Sequence, residues 1–537
     1  MRCAEAAGNN DCGVVAQAKM CRDLKFIDDY QLNTIVKRGV KMDANFEKFL
    51  GKFCVNGKEN ILGELSLNYE NTHLNIYSDN VINPRAVDSV IYGETVNGEK
   101  ISLVDCVCMN MGSRHNGSGR SGWFATFYPH YSIIGTDYIN PSVNCLERID
   151  IASTDINEIF NDFDAFGYAS EPEKKIESLL DGVRQHRHVE SGEFPIIVYF
   201  TGRKDIIDFN SSIGRITVQH RPAGGVKGVS GFSINNRVVL SIEFERLHNF
   251  EEALGAAHLV RSFLSVVAGR RQTIETLHIY KKVESEQYAS PLKVISGFSK
   301  DFKNSEEDSK PNFREMPLDS INGKVEFENV FEQWLLRSED WGLPRNRYLN
   351  CMGGGNVYGA DRIIAAANMF DILPDSAVPK PTEIPNNVSE ASKSCQLIFA
   401  NLPDSIEKNS ILGALGRLGK PSLPKKVKYR VGIVMSRLGP AFPELEFVGK
   451  IAVNCRNYFV HGGASASAAQ VFDSQMPFLT ETLEFVFVAS DLIECGWSPN
   501  EWHRKGRGLG HKFSRYAMAY EQNLAELKKA LKAVKKV

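Results

Sequence analysis

The chain has 537 residues, 43% hydrophobic and 24% charged, which is the composition of a folded multidomain protein rather than a disordered one. Lys and Arg number 63 against 65 Asp and Glu, so the net charge of −2 marks neither a nucleic-acid binder nor an acidic protein on average. No run approaches the roughly 18 apolar residues of a membrane span, and the opening MRCAEAAGNNDCGVVAQAKMC lacks the basic-then-apolar pattern of a secretory signal. Eleven cysteines without a C-x-x-C pair read as reduced thiols of a cytoplasmic protein.

Residues 1–50 look mainly helical, and Cys3, Cys12 and Cys21 lie nine apart without the histidine partners of a metal site. Residues 51–298 have a β texture. Leu65, Leu67 and Tyr69 alternate with polar residues, as do Leu74 and Ile76, which suits half-buried strands. Asn97-Gly98 falls between two strand candidates and signals a hairpin. Further strands are expected at Ile196–Phe200, Ile216–Gln219 and Val238–Phe244. One helix interrupts them, with Asn249 and Glu252 spaced for a reciprocal N-cap.

The hydrophilic stretch within residues 299–320 reads as a linker. Residues 321–537 are then helical, with segments expected at Val325–Ser338, Tyr358–Leu373, Ser389–Leu402, Ile406–Leu418, Lys425–Leu438, Glu444–His461, Ser474–Cys495 and His511–Val537. A loop carrying Pro374, Pro379, Pro381 and Pro385 separates two of them. The fold class that follows is multidomain α+β, a β-rich N-terminal domain followed by an all-α helical bundle.

Two tempting signals carry little chemistry. Gly353, Gly354, Gly355 and Gly359 fit neither phosphate-loop spacing and read as a helix entry. His186 and His188 have no acidic or cysteine partner at a helpful ligand spacing and read as a solvated turn. The informative string is Arg456-Asn457-Tyr458-Phe459-Val460-His461. Leu445, Val448, Ala452, Cys455 and Phe459 form one apolar helical stripe, while Lys450, Asn454, Asn457 and His461 fall on another. Asn457 and His461 are stacked neighbours, and the long stem of Arg456 reaches the same region. Gly462-Gly463 stops the helix, so His461 occupies its last turn. An Arg and a His near a helix C-terminus also favour the dipole, and bare spacing leaves that bland reading open.

The string CRNYFVHGG, late in an all-α half behind a β-rich beginning, resembles the HEPN superfamily. The chain as a whole resembles the ApeA-type abortive-infection proteins of bacterial antiphage defence. The resemblance implies a HEPN helical bundle with a catalytic R-x4-H motif and a β-rich regulatory or sensor domain. It implies a metal-independent, cofactor-free endoribonuclease in which His461 is the general acid or base, Arg456 holds the scissile phosphate and Asn457 orients His461 or hydrogen-bonds the phosphate. It further implies RNA, tRNA in particular, as substrate, a homodimer that brings two motifs face to face, and a phage-derived trigger.

Charge distribution suits RNA as well, although the lysines of LAELKKALKAVKKV fit the solvated face of an amphipathic helix equally well. From Arg417 to Arg456 nine Lys and Arg oppose two Glu, a balance of +7, and from His503 to Val537 ten oppose two, a balance of +8. Lys425, Lys426, Lys428 and Arg430 are the candidate phosphate contacts, with Tyr429, Tyr458, Tyr516 and Tyr520 for base stacking. Two other readings stay open. One is a non-catalytic RNA-binding or regulatory protein with a degenerate bundle, and the other puts the activity in the β domain, as a carbohydrate or nucleotide binder.

Overall fold

The computed structural model describes residues 47–68, 71–79, 90–115, 121–226, 231–283, 289–297, 310–381, 383–462, 466–505 and 508–534. The predicted N-terminal helical segment, its three cysteines and Tyr69 therefore lie outside the described residues, except that Glu47–Leu50 open a strand. Phe49, Gly51, Phe53 and Val55 alternate inward there, a period of two that overrides the helical expectation.

The strands are β1 (Glu47–Val55), β2 (Lys58–Leu67), β3 (His73–Ser78), β4 (Val90–Thr95), β5 (Lys100–Val104), β6 (Val107–His115), β7 (Ser121–Tyr128) and β8 (Tyr131–Gly135). They continue with β9 (Leu146–Ser153), β10 (Phe166–Tyr168), β11 (Val198–Phe200), β12 (Asp205–Ser211), β13 (Gly214–Val226), β14 (Phe232–His248), β15 (Ile274–Lys281) and β16 (Leu292–Ser296). Among the described residues fourteen of them form one antiparallel sheet in the order β12-β13-β14-β9-β15-β16-β8-β5-β4-β1-β2-β3-β7-β6, and β10 pairs with β11. The predicted alternation is realised as Leu65 opposite Leu74, both fully buried. The predicted hairpin joins β4 to β5 through Val96-Asn97-Gly98, with Gly98 at φ 85°. Gly63 and Gly93 flank Phe53, and a Cβ on either would come within 2.8 Å of its ring, so their smallness lets the ring lie across three strands.

The helices are α1 (Ile156–Ile159), α2 (Pro172–Arg184), α3 (Phe250–Ala268), α4 (Lys324–Leu336), α5 (Ser338–Gly353), α6 (Ala360–Asp371) and α7 (Asn386–Ala400). After them come α8 (Ile406–Leu415), α9 (Leu423–Leu438), α10 (Leu445–His461), α11 (Ala466–Glu494), α12 (Pro499–Arg504) and α13 (Lys512–Val534). The capping box of α3 is present in both directions, Glu252 N to Asn249 Oδ1 at 2.9 Å and Asn249 N to Glu252 Oε2 at 3.1 Å. α11 is the axis of the bundle. Its Leu479, Leu483, Val486 and Leu492 are fully buried, so this apolar helix is core rather than surface.

Two apolar cores result. One lies within the N-terminal strands around Phe53, Leu65, Ile101 and Phe127. The other is continuous from β9 and β14 through α3 into the helices, where Phe263 meets Phe327, Phe331 and Trp334 edge to face. The predicted linker is corrected by this packing. Of residues 299–320, those up to 309 lie outside the described residues, but Glu315, Met316, Leu318 and Ser320 are buried. Trp497 Nε1 donates to Pro317 O at 2.8 Å, Trp502 Nε1 to Glu315 O at 2.9 Å, and His511 N to Glu315 Oε2 at 2.9 Å. The two halves are seamed, with no solvated connector at residues 310–320.

Candidate active site

The motif helix α10 buries Leu445, Val448, Ala452 and Cys455 and leaves Lys450, Asn454 and His461 exposed, as its periodicity predicts. Gly449 lets it approach α9 closely, since a Cβ there would stand 3.3 Å from Val431 Cγ2. Gly462, at φ 73°, ends the helix with its N–H donating to Tyr458 O at 2.8 Å, which sets His461 in the exposed final turn.

Arg456 points along the seam between α10 and α6. Its Nη1 donates to Asn457 Oδ1 and its Nη2 to Asn368 Oδ1, each at 3.1 Å. Asp371 Oδ2 stands 3.6 Å from the same Nη2. The Arg456 side chain is 16% exposed and that of Asp371 39%, so the pair is partly open to solvent. Its Nε is buried with no hydrogen-bond partner among the described residues. A guanidinium oriented by two amide oxygens is prepared to receive a phosphate oxygen without first finding its rotamer. The Cys455 thiol beside it is pushed up to about 12 by burial and is no nucleophile.

The structure brings Arg456 and Asn457 into one hydrogen-bonded group, places His461 one turn further along the same helix, and adds Asn368 and Asp371, which the sequence reading missed. Both sit at the end of α6, where an amide and a carboxylate interrupt the run AAANMFD. Two polar residues three apart in the apolar run that follows Arg362 are the signal that marks them.

The four basic candidates separate. Lys426 lies beside the site, its Nζ donating at 2.7 Å to the backbone carbonyl of Asp371, the last residue of α6. Lys425 is exposed, and exposed Lys428 pairs with Glu446 at 2.6 Å. Arg430 is corrected. It is fully buried, bonded to Ser490 Oγ at 2.8 Å, paired with Glu494 at 2.8 Å, and set over the Trp341 ring at 5.0 Å, so it holds α9 to α11 and presents nothing to a phosphate. Tyr516 and Tyr520 are likewise core, their hydroxyls engaged by Thr482 Oγ1 at 2.9 Å and Pro443 O at 2.7 Å. Tyr429 is 40% exposed and Tyr458 half-buried against Phe472. His186 and His188 are exposed on a turn, with Glu190 3.1 Å from His188. Among the described residues no group of three His, Cys, Asp or Glu is placed to hold a metal, and no helix is long and apolar enough to cross a membrane.

No curated protein and no solved structure matches the chain. Two family models do. One, described as ApeA N-terminal domain 1, matches residues 48–334 and so runs through the whole sheet and the seam to Trp334. The other, described as Apea-like HEPN, matches residues 364–501 and contains Asn368, Asp371, Arg456, Asn457 and His461. With over half its length matched by the first and its motif helix inside the second, the chain belongs to the ApeA-like HEPN abortive-infection proteins.

Proposed function

We propose that this protein is an antiphage endoribonuclease that cleaves RNA, tRNA in particular, by metal-independent transesterification at Arg456, Asn457 and His461. The family associates the chain with antiphage defence and its helical half with RNase-type domains. What supports the finer reading is one observation, the Arg456 guanidinium fixed by Asn457 and Asn368 on the helix that presents His461 in its exposed last turn.

In this reading Arg456 binds the scissile phosphate and stabilises charge developing on its oxygens. Imidazole is the side chain suited to either proton transfer near neutral pH. His461 takes the 2′-hydroxyl proton or protonates the departing 5′-oxygen, and Asn457 fixes the guanidinium beside it. The products are a 2′,3′-cyclic phosphate and a 5′-hydroxyl, and DNA, without the 2′-hydroxyl, is refused. One imidazole cannot hold both protonation states at once, so a homodimer with two facing motifs completes the site. The α7–α8 hairpin buries no residue against the bundle and exposes Leu397, Ile398 and Ile406, which gives such a dimer apolar surface.

The test is the purified protein beside its His461→Ala variant on total tRNA and on a DNA oligonucleotide. Wild-type cleavage with 5′-hydroxyl ends, insensitive to EDTA and absent from the variant, is expected. Equal cleavage by both proteins removes the assignment. The second reading, an RNA-binding or regulatory protein without catalysis, draws on Asp371, whose carboxylate stands where a phosphate oxygen would approach Arg456. It predicts RNA bound and left intact.

A further inference from the structure

Away from the motif, the β half contains a cavity of about 250 Å³ between α1, β10, β13 and β14. Its wall carries a short polar relay. Asn236 Nδ2 lies 3.0 Å from His220 Nδ1 and donates to it, which leaves the Nε2 proton for Asp162 Oδ2 at 3.4 Å. His220 and Asp162 are 4% and 7% exposed, so both are committed to each other away from solvent. The relay ends at Asn236 Oδ1, a buried acceptor with no hydrogen-bond partner among the described residues. Asn157 and Asn161 add two more amides to the lining, and the rest of the wall is apolar. Phe166 stacks on Phe200 at 4.8 Å and 25° and meets His220 edge-on, while Phe160, Phe163 and Val238 complete the apolar lining. Arg203 stands beside it, Nη1 3.7 Å from Asp162 Oδ2, with its side chain half exposed.

We propose that this cavity binds a nucleobase bearing an exocyclic amino group, carried as a nucleotide. A planar ring matches the phenylalanine walls, and an amino N–H supplies the donor that Asn236 Oδ1 lacks, as an asparagine amide does when it reads adenine. Arg203 supplies a cation for the phosphate. A sugar fits less well. It has no aromatic face to lay against Phe160, Phe163 and Phe166, and Asp162 and His220 are already engaged with each other. The same residues Asn161, Asp162 and Phe163 also line a second cavity against Phe313–Asn322, so the site adjoins the seam to the helices.

The experiment is calorimetric titration of the full-length protein with AMP, CMP and UMP, a readout independent of the ribonuclease reading. AMP or CMP is expected to bind and UMP, which has no exocyclic amino group, to bind roughly tenfold more weakly or not at all. Asn236→Ala, with its fold checked by thermal melting, is expected to reduce the amino-bearing nucleotides to the UMP level, and Phe166→Leu to weaken all of them. The CMP-to-UMP comparison on wild type needs no variant to fold. Silence with all three nucleotides, equal affinity for CMP and UMP, or unchanged binding by a folded Asn236→Ala protein each overturns the proposal.

Discussion

Asp371 Oδ2 lies 3.6 Å from Arg456 Nη2, a carboxylate at the end of one helix facing the motif arginine of another. An anion there competes with the phosphate that the arginine is proposed to hold. The pair is partly exposed, so its worth is modest, about 0.2–1 kcal/mol. Asp371→Asn is therefore expected to tighten RNA binding by up to about fivefold at low salt, measured by fluorescence anisotropy. The backbone carbonyl that Lys426 holds is unchanged in the variant. Unchanged affinity in Asp371→Asn, beside a clear loss in Arg456→Ala, would show that the carboxylate does not compete.

Arg456→Lys tests whether geometry or charge matters. An ammonium keeps the charge but cannot reach Asn457 and Asn368 from two fixed nitrogens at once. Cleavage is expected to fall by about a hundredfold or more, with little change in melting temperature because the residue is partly exposed. Asn368→Ala leaves the guanidinium in place but removes one of its two orienting bonds, and a drop of about tenfold is expected. Lysine that restores full activity would make Arg456 a simple counter-charge.

The motif was legible in the sequence because its helix is strongly periodic and ends at Gly462. The apolar stripe from Leu445 to Cys455 settled which face is buried. Arg430 and Tyr520 were misread as surface because composition records charge and aromaticity but not the partner, and Glu494 and Phe442 lie far off in sequence. α5 escaped because Gly342 and Pro344 contradict a helix locally, while burial of Trp341 and Tyr348 against Phe487 outweighs propensity. The supposed linker failed for the same reason. Its acceptors are taken by Trp497, Trp502 and His511, nearly two hundred residues on.

Asp491 is fully buried between two arginines, with Arg345 Nε at 2.8 Å and Arg337 Nη1 at 3.1 Å. Removing the carboxylate strands the buried Arg345 cation, while Arg337 keeps Glu494, so Asp491→Ala is expected to destabilise by about 3–5 kcal/mol. Arg430→Ala, which leaves Glu494 with Arg337 at 2.6 Å, is expected to cost less and to leave the salt dependence of RNA binding as in wild type. Lys426→Ala is the contrast, with the salt slope reduced by about one contact and the melting temperature nearly unchanged. Denaturant titration and RNA binding across salt concentrations check all three variants. A reduced slope in Arg430→Ala would mean that this side chain reaches RNA after all.

The seam itself is expected to make the protein acid-sensitive through His511. The imidazole is fully buried against Gly269, where a Cβ would come within 2.5 Å of its ring, and Nδ1 accepts from Phe513 N at 3.1 Å. Burial pushes its pKa from the ordinary 6.5 down to about 3, against an opposing pull from the Val266 and Val267 carbonyls. The folded value lies below the unfolded one. As the pH falls below 6.5 the unfolded chain takes up a proton that the folded chain refuses, and stability drains until the pH reaches about 3. Above 6.5 the group contributes no pH dependence. Within the window one such histidine removes about 1.4 kcal/mol per pH unit. His511→Asn keeps an acceptor for Phe513 N and has nothing to protonate, so its stability is expected to start lower at pH 7.5 and to fall less steeply between pH 6 and 4. Urea titrations at several pH values measure that slope. Parallel slopes for the two proteins would mean that other groups govern acid unfolding and that this histidine charges within the folded seam at little cost.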